Sequence, residues 1–252
     1  MFKPRILPCL LLQGTGLVKT IQFKNPTYVG DATNAVRIFN KKEVDELIFL
    51  DITATQDRRR PSVQAISQIS DECFMPLCAG GGIRNLKDIK ELINAGAEKV
   101  VINTYAVENP SFIKKASLAF GSQSIVVSID TKKTKEGGYE VFTHGGTRAT
   151  GFDPVTQARK MEQAGAGEIM ITSIDRDGTM TGYDIPLTEM IVDAVNIPVI
   201  TCGGAGRLEH FSLAMKTGVS ALAAGSFFIF YGKRRAVLIN FPTKEEIQDI
   251  LK

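Results

Sequence analysis

The stretch Pro76-Leu77-Cys78-Ala79-Gly80-Gly81-Gly82-Ile83-Arg84-Asn85-Leu86 decides the fold, because it returns later in the chain. Its second copy, 122 residues further on, is Pro198-Val199-Ile200-Thr201-Cys202-Gly203-Gly204-Ala205-Gly206-Arg207-Leu208. The same offset places Glu46-Leu47-Ile48-Phe49-Leu50-Asp51-Ile52 over Glu168-Ile169-Met170-Ile171-Thr172-Ser173-Ile174. A register kept over separate blocks indicates a duplicated half-domain, and we predict halves of about residues 1–122 and 123–252.

Both copies share one internal pattern of strand, glycine turn, helix and strand. The second strand ends in small polar residues, Asn103-Thr104 in the first copy and Gly225-Ser226 in the second. Two parallel strands joined by a helix form a right-handed unit. Eight such units with nearly continuous apolar strands favour a closed parallel barrel over an open doubly wound sheet. We therefore predict an α/β fold, a (β/α)8 TIM barrel built from two duplicated half-barrels.

The glycine turns at the strand ends predict two phosphate sites. Glycine lets backbone N–H groups approach a ligand closely, and the following helix adds the positive end of its dipole. The alternative is that the glycines only make tight turns, but two copies in register favour a ligand. The carboxyl ends of barrel strands gather at one rim. That rim would hold Asp51, Gly82, Asn103, Asp130, Asp177, Gly204 and Ser226.

Length and composition favour one enzyme-sized domain. The 252 residues match a single (β/α)8 barrel, predicted as one domain over residues 1–252. A net charge of +3 gives no reason to expect a nucleic-acid partner, and Arg58-Arg59-Arg60 indicates a solvated or anion-facing patch. The four cysteines lack C-x-x-C spacing and fit a reducing, cytoplasmic setting. We expect no metal, no cofactor and no membrane segment, since His144 and His210 are too few for a zinc site.

Three local features complete the predicted layout. After the first strand, which we end at Leu11, a long loop through Gly30 is predicted to contain Lys19. The alternating stretch around Gly137-Gly138 predicts a β-hairpin at the exit of the fifth strand. The aromatic run that begins at Phe227 predicts that the eighth helix is short or displaced.

Several motifs resemble the HisF family, the cyclase (synthase) subunit of imidazole glycerol phosphate synthase, over residues 3 to about 230. They are Leu50-Asp51-Ile52-Thr53-Ala54, Ala79-Gly80-Gly81-Gly82-Ile83-Arg84, Ile102-Asn103-Thr104, Phe120-Gly121-Ser122-Gln123, Thr172-Ser173-Ile174-Asp175-Arg176-Asp177-Gly178-Thr179 and Cys202-Gly203-Gly204-Ala205-Gly206. The resemblance implies a lyase of histidine biosynthesis with two phosphate sites. It also implies ammonia delivered through the barrel by a HisH-type glutaminase, docked as a heterodimer on the N-terminal rim.

The resemblance also assigns roles to single residues, with one departure. Asp130 matches one of the family's two acid–base aspartates, whereas Leu11 stands where the family motif has the other and cannot transfer a proton. Losing one positioned acid or base typically costs ~10²–10⁴-fold in rate. The expected ammonia gate is Arg5, Glu46, Lys99 and Glu168. The expected phosphate- or substrate-binding residues are Asp51, Gly81, Gly82, Asn103, Thr104, Thr172, Asp177, Gly178, Gly203, Gly204, Gly225 and Ser226.

Because Leu11 removes one acid, the chain is most similar to a diverged second HisF branch of bacterial surface-polysaccharide clusters. That resemblance implies an ammonia relay for O-antigen (LPS) biosynthesis, in which a sugar amidotransferase builds an acetamidino group. Two alternatives stay open: a HisA-like phosphoribosyl isomerase, for which a glutaminase gate has no purpose, and a non-catalytic subunit that only binds its partner.

Overall fold

The computed structural model describes residues 4–232 and 234–250. Eight parallel strands pair in sequence order around a closed ring, and the sixth pairs with the fifth to complete it. This confirms the predicted (β/α)8 barrel. The barrel strands are Arg5–Gln13, Leu47–Asp51, Leu77–Gly80, Lys99–Ile102, Ile125–Lys133, Glu168–Ser173, Val199–Cys202 and Ala221–Ala224.

Helices follow the strands and cover the outside of the barrel. They are Ala32–Lys41, Val63–Ser70, Leu86–Asn94, Thr104–Glu108, Pro110–Phe120, Pro154–Gln163, Ile185–Val192, Leu208–Met215, Ser226–Ile229 and Lys244–Ile250, with a 3₁₀ turn at Ser122–Ser124. Helix ends follow local chemistry: Asp153 accepts a hydrogen bond from the Thr156 backbone N–H at 2.7 Å, and Pro154 occupies the first helical position. Gly121, with φ +85°, ends the helix Pro110–Phe120.

Two apolar layers hold the barrel together. The outer layer lies between the strands and the helices and contains most of the buried aliphatic and aromatic side chains. The inner layer fills the barrel itself with Leu7, Cys9, Ile48, Cys78, Val101, Val126, Met170, Ile200, Cys202, Ala221 and Ala223. Its members are apolar and mostly buried to 95% or more, so the barrel interior contains little that binds a charged solute.

The segment after the first strand is not the predicted loop. The first strand runs on to Gln13, and two further strands, Gly16–Ile21 and Lys24–Asp31, form an antiparallel extension that we call the front hairpin. Gly14, with φ +62°, makes the turn into it. Register shifts after Leu17 and Lys19 break the alternation along its strands, which is why the pattern did not indicate a strand. Lys19 therefore lies on a fixed strand.

The other two local predictions are confirmed. The fifth strand pairs antiparallel with Tyr139–Thr143, which forms the hairpin predicted around Gly137-Gly138. The eighth helix, Ser226–Ile229, is a single turn, followed by a two-stranded tail ribbon made of Phe230–Tyr231 and Ala236–Val237. No helix within residues 4–232 and 234–250 is long and apolar enough to cross a membrane.

Candidate functional site

A cavity of about 270 Å³ opens at the carboxyl ends of the barrel strands. Its wall contains ten of the residues singled out from the sequence: Leu11, Asp51, Gly81, Gly82, Asn103, Thr104, Asp130, Thr172, Asp177 and Gly225. Both halves of the chain contribute to this list, so the duplication brings its predicted residues to one place. In (β/α)8 barrel enzymes the active site lies at this end of the barrel.

The first cup, which we define as Gly81, Gly82, Asn103 and Thr104, faces this cavity. Gly81 has φ +110°, and a Cβ there would lie 2.3 Å from the Asp51 carbonyl oxygen. Gly82 has φ +74°, and a Cβ there would lie 2.7 Å from the Arg59 carbonyl oxygen. Only glycine fits such contacts in this backbone conformation, so the turn brings peptide groups to the cavity edge.

The second cup, Gly203, Gly204, Gly225 and Ser226, is placed differently. Gly225 lines the cavity, whereas Gly203, Gly204 and Ser226 lie outside the wall that the described residues form, as does Gly178. The loop between the sixth strand and its helix covers this cup, since the Gly182 backbone N–H donates to the Gly204 carbonyl oxygen at 2.7 Å. Ser226 is 6% exposed, and its Oγ has no hydrogen-bond partner among the described residues.

Asp51 forms an ion pair with Arg59, a pairing that the sequence analysis did not predict. The Arg59 guanidinium donates to both Asp51 carboxylate oxygens, at 2.6 and 2.7 Å. The Thr53 and Ala54 backbone N–H groups also donate to Asp51, at 3.2 Å each. This bidentate ion pair fixes the loop beside the first cup. Within the basic triplet, Arg60 also contacts a carboxylate, that of Asp88, at 2.7 Å.

Asp130 has an environment suited to proton transfer. It is 9% exposed and accepts a hydrogen bond from the Ser128 hydroxyl at 3.2 Å. The fifth strand, which the sequence suggested would end in this acid, continues three residues beyond it to Lys133, where it pairs with the hairpin strand Tyr139–Thr143. Burial raises the pKa of its carboxyl to about 7, which the Ser128 hydrogen bond partly offsets and the charge of Asp177 reinforces. A carboxyl that titrates near neutral pH can both donate and accept a proton there.

Lys19, which the sequence placed in a loop without a role, belongs to the same wall. It is 7% exposed, and its Nζ donates to the Cys9 carbonyl oxygen at 2.6 Å. Its positive charge acts on Asp177, whose carboxyl also accepts a hydrogen bond from the Thr20 hydroxyl at 3.2 Å. Burial raises the pKa of Asp177, and Lys19 partly counters that shift. The front hairpin thus brings a cation beside an acid across the barrel mouth.

Leu11 and Leu50 continue the apolar interior up to the cavity floor. Leu11 is partly buried, pairs with Val18 of the front hairpin, and packs with Leu50 against the inner layer. It therefore gives the floor of the cavity a hydrocarbon surface.

The four predicted gate residues meet at the opposite, N-terminal end of the barrel. Arg5 binds both Glu46 and Glu168, and the Lys99 Nζ lies 3.1 Å from a carboxylate oxygen of each. We call this closed set of alternating charges the charged ring. Burial alone would lower the pKa of Lys99, but the attraction of Glu168 and Glu46 outweighs it and raises that pKa. A depression of about 460 Å³, lined in part by Arg5, Lys99 and Glu168, adjoins the ring.

Fold and site together define a class: a duplicated (β/α)8 barrel with a polar cavity at one end and a ring of ion pairs closing the other. A family model described as "Histidine biosynthesis protein" matches residues 5–234, and the chain belongs to that family. It is a HisF-type chain, a subunit of an enzyme family, as its relatives indicate.

Three relatives match almost end to end. "Putative imidazole glycerol phosphate synthase subunit hisF2" of Pseudomonas aeruginosa is 51% identical over 96% of this chain and 97% of its own length. "Putative imidazole glycerol phosphate synthase subunit HisF" of Leptospira interrogans is 46% identical over 98% of each chain. A protein of the same description from Leptospira borgpetersenii is 47% identical over 96% of each chain.

Proposed function

We propose that this chain is the barrel subunit of a glutamine-dependent complex. A HisH-type glutaminase would dock at the N-terminal rim as a heterodimer and release ammonia through the charged ring. A phosphorylated ligand would occupy the cavity at the opposite rim. We further propose that the barrel relays ammonia to a separate sugar amidotransferase, in the synthesis of an acetamidino sugar of the bacterial O-antigen.

The charged ring carries this proposal. Replacing a buried set of ion pairs by packed hydrophobic residues is often neutral or stabilising, so stability alone is a weak reason to place four charges there. Lys99 has a long, flexible side chain, and its movement would open the ring without a change in the strands. Above the ring the interior is apolar, which admits neutral ammonia and disfavours ions.

Leu11 supports the relay over complete ring closure. Opposed acid and base groups need two titratable side chains in reach of the ligand, and the first strand presents a hydrocarbon at that position. The raised pKa of Asp130 and the names of the relatives favour the second candidate, full imidazole glycerol phosphate synthase activity.

Two measurements test the proposal. The chain is supplied with ammonium and the ribulosyl formimino substrate, and the relay predicts little imidazole glycerol phosphate until Leu11→Asp is introduced. Robust turnover by the unchanged chain would establish the second candidate and reject the relay.

The gate is tested in the complex with a HisH-type glutaminase, by comparing glutamine hydrolysed with ammonia found in the external solvent. If the charged ring acts as a gate, Lys99→Ala should increase the fraction of ammonia that leaks into the solvent. Lys87→Ala, on the exposed helix surface, should leave that fraction unchanged. Equal leakage of ammonia from the unchanged chain, Lys99→Ala and Lys87→Ala would indicate a subunit that binds its partner without conducting ammonia.

A further inference from the structure

We propose that Cys9, Cys202 and Met170 form a binding site for the soft monovalent metal ion Cu(I) at the floor of the cavity. We call these three residues the sulfur site. The inference goes beyond the proposed function and does not depend on it.

The three sulfur-bearing side chains belong both to the inner apolar layer and to the cavity wall. Cys9 and Cys202 are 4% and 8% exposed, and both are free thiols. Met170 is also buried, and it lies on the sixth strand two residues before Thr172, which pairs with Cys202. The sulfur site therefore lies where the apolar interior opens into the cavity.

Cys9 and Cys202 come from strands that are not neighbours. The eighth strand separates them, but it faces the interior with Ala221 and Ala223, whose side chains are too small to keep the two thiols apart. The thiols form a hydrogen bond with each other, which lowers the pKa of Cys9 and raises that of Cys202. The Cys202 thiol is therefore the donor, and the Cys9 sulfur is the acceptor.

A disulfide does not fit the spacing of this pair. Neighbouring strands lie about 4.8 Å apart, so Cα atoms on the first and seventh strands are roughly 9 Å apart across the eighth. Disulfides need Cα atoms within about 7 Å of each other. A bridging metal ion reaches further, since two bonds of the zinc–thiolate length, about 2.3 Å, meeting at 120° separate their sulfurs by roughly 4 Å. This suits two thiols that already share a hydrogen bond.

The kinds of ligand atom select the metal. Thiolates and thioethers favour soft ions such as Cu(I), whereas structural zinc sites take four ligands in a tetrahedron. Among residues 4–232 and 234–250, no group of three or more His, Cys, Asp or Glu side chains could hold a metal ion. Two thiols and one flexible thioether therefore suit Cu(I), which accepts a smaller set of sulfur ligands than zinc.

Binding exchanges protons for the metal ion. Both S–H bonds break, two Cu–S bonds form and two protons leave for the solvent, while copper keeps its oxidation state. The product carries one negative charge. Lys19 supplies a positive charge beside it, because its Nζ donates to the Cys9 carbonyl oxygen at 2.6 Å.

The test is an anaerobic competition for Cu(I) between the full chain and bicinchoninate, a colorimetric chelator. All proteins carry Cys73→Ala, because this thiol is partly exposed and lies outside the cavity wall that the described residues form. We expect one Cu(I) per chain, with two or three sulfur neighbours in its X-ray absorption spectrum. Cys9→Ala and Cys202→Ala should each weaken Cu(I) binding by at least about a hundredfold, and Met170→Leu by about tenfold.

Cys78→Ala is the matched control, because Cys78 is a buried thiol of the same inner layer that is not part of the wall described for the cavity. It should leave Cu(I) binding unchanged, and thermal denaturation verifies that each variant folds. The site would be overturned by a parent chain that takes no Cu(I) from bicinchoninate, by copper with fewer than two sulfur neighbours, or by equal losses in Cys78→Ala and Cys202→Ala. The absorption spectrum of the parent chain decides the question alone if an alanine variant does not fold. A loss of less than twofold in Met170→Leu would overturn the part assigned to Met170.

Discussion

Asp130→Asn should stabilise the protein at neutral and alkaline pH and lose this effect in acid. Burial raises the pKa of the Asp130 carboxyl from 3.8 to about 7, so the folded chain keeps a proton that the unfolded chain releases. Between about pH 4 and pH 7 the folded state binds more protons, and stability therefore falls as pH rises through this window. Asparagine cannot ionise and keeps an oxygen that accepts the Ser128 hydrogen bond.

The size of the effect follows from the same shift. Each pKa unit corresponds to about 1.4 kcal/mol, so a shift of roughly three units gives an upper value of about 4 kcal/mol in favour of Asp130→Asn above pH 8. Near pH 4 the two proteins should differ by less than about 1 kcal/mol, because the folded-state carboxyl is then protonated and the unfolded-state carboxyl, with a pKa of 3.8, is only partly ionised.

Urea denaturation of both proteins at a series of pH values measures this difference directly, since other titrating groups are common to them. Asp71→Asn, at an exposed aspartate beyond the second helix, controls for the loss of one negative charge. A free-energy difference between Asp130→Asn and the unchanged chain that stayed constant from pH 4 to pH 8.5 would refute the assignment of Asp130 as the neutral-pH acid of this cavity.

Three further substitutions probe the ring, the tail and the first cup. Lys99→Met should lower the free energy of unfolding by about 3 kcal/mol because it leaves buried carboxylates short of a cation; adding Glu168→Gln should recover much of this loss in urea denaturation. Phe228→Ala should cost about 3–5 kcal/mol by the same assay, since this fully buried ring packs on several others and anchors the tail. Gly81→Ala should lower the melting temperature, because its Cβ would meet the Asp51 carbonyl oxygen; an unchanged melting temperature would contradict that reasoning.

The barrel could be predicted because the sequence signals for its strands, turns and helices are local and recur along the chain. Proline before and glycine after an apolar run mark the strand Leu77–Gly80, and Pro110 and Gly121 mark the two ends of the helix Pro110–Phe120. The front hairpin could not be predicted in the same way. It gains its order from pairing with the first strand, and its exposed residues, such as Tyr28, do not alternate with buried ones in a regular pattern.

The sequence predicted which residues of the candidate site lie at the strand ends. It did not predict which side chains and loops contact them. The duplication indicated two similar cups, but the loop that covers Gly204 lies between the sixth strand and its helix, where the two halves have different sequences. The pairing of Arg59 with Asp51 likewise depends on where a loop folds back, which no spacing rule reports. The repeat in the sequence therefore predicts which residues lie at the rim of the barrel, but not which hydrogen-bond or ion-pair partner each of them has.

The proposed relay also gives a chemical reason for a hydrocarbon at position 11. Ammonia crosses an apolar interior as the neutral molecule, and any acid it meets at the end of that path can convert it to ammonium, which is a poor nucleophile. Asp130 already presents one carboxyl with a pKa of about 7. An aspartate at the floor would add a further titratable carboxyl to those of Asp130 and Asp177 in the cavity wall, whereas Leu11 extends the apolar path to the cavity. On this view the substitution that removes ring-closing chemistry also favours delivery of unprotonated ammonia, and Leu11→Asp should retain more ammonium within the complex as it gains activity on the ribulosyl substrate.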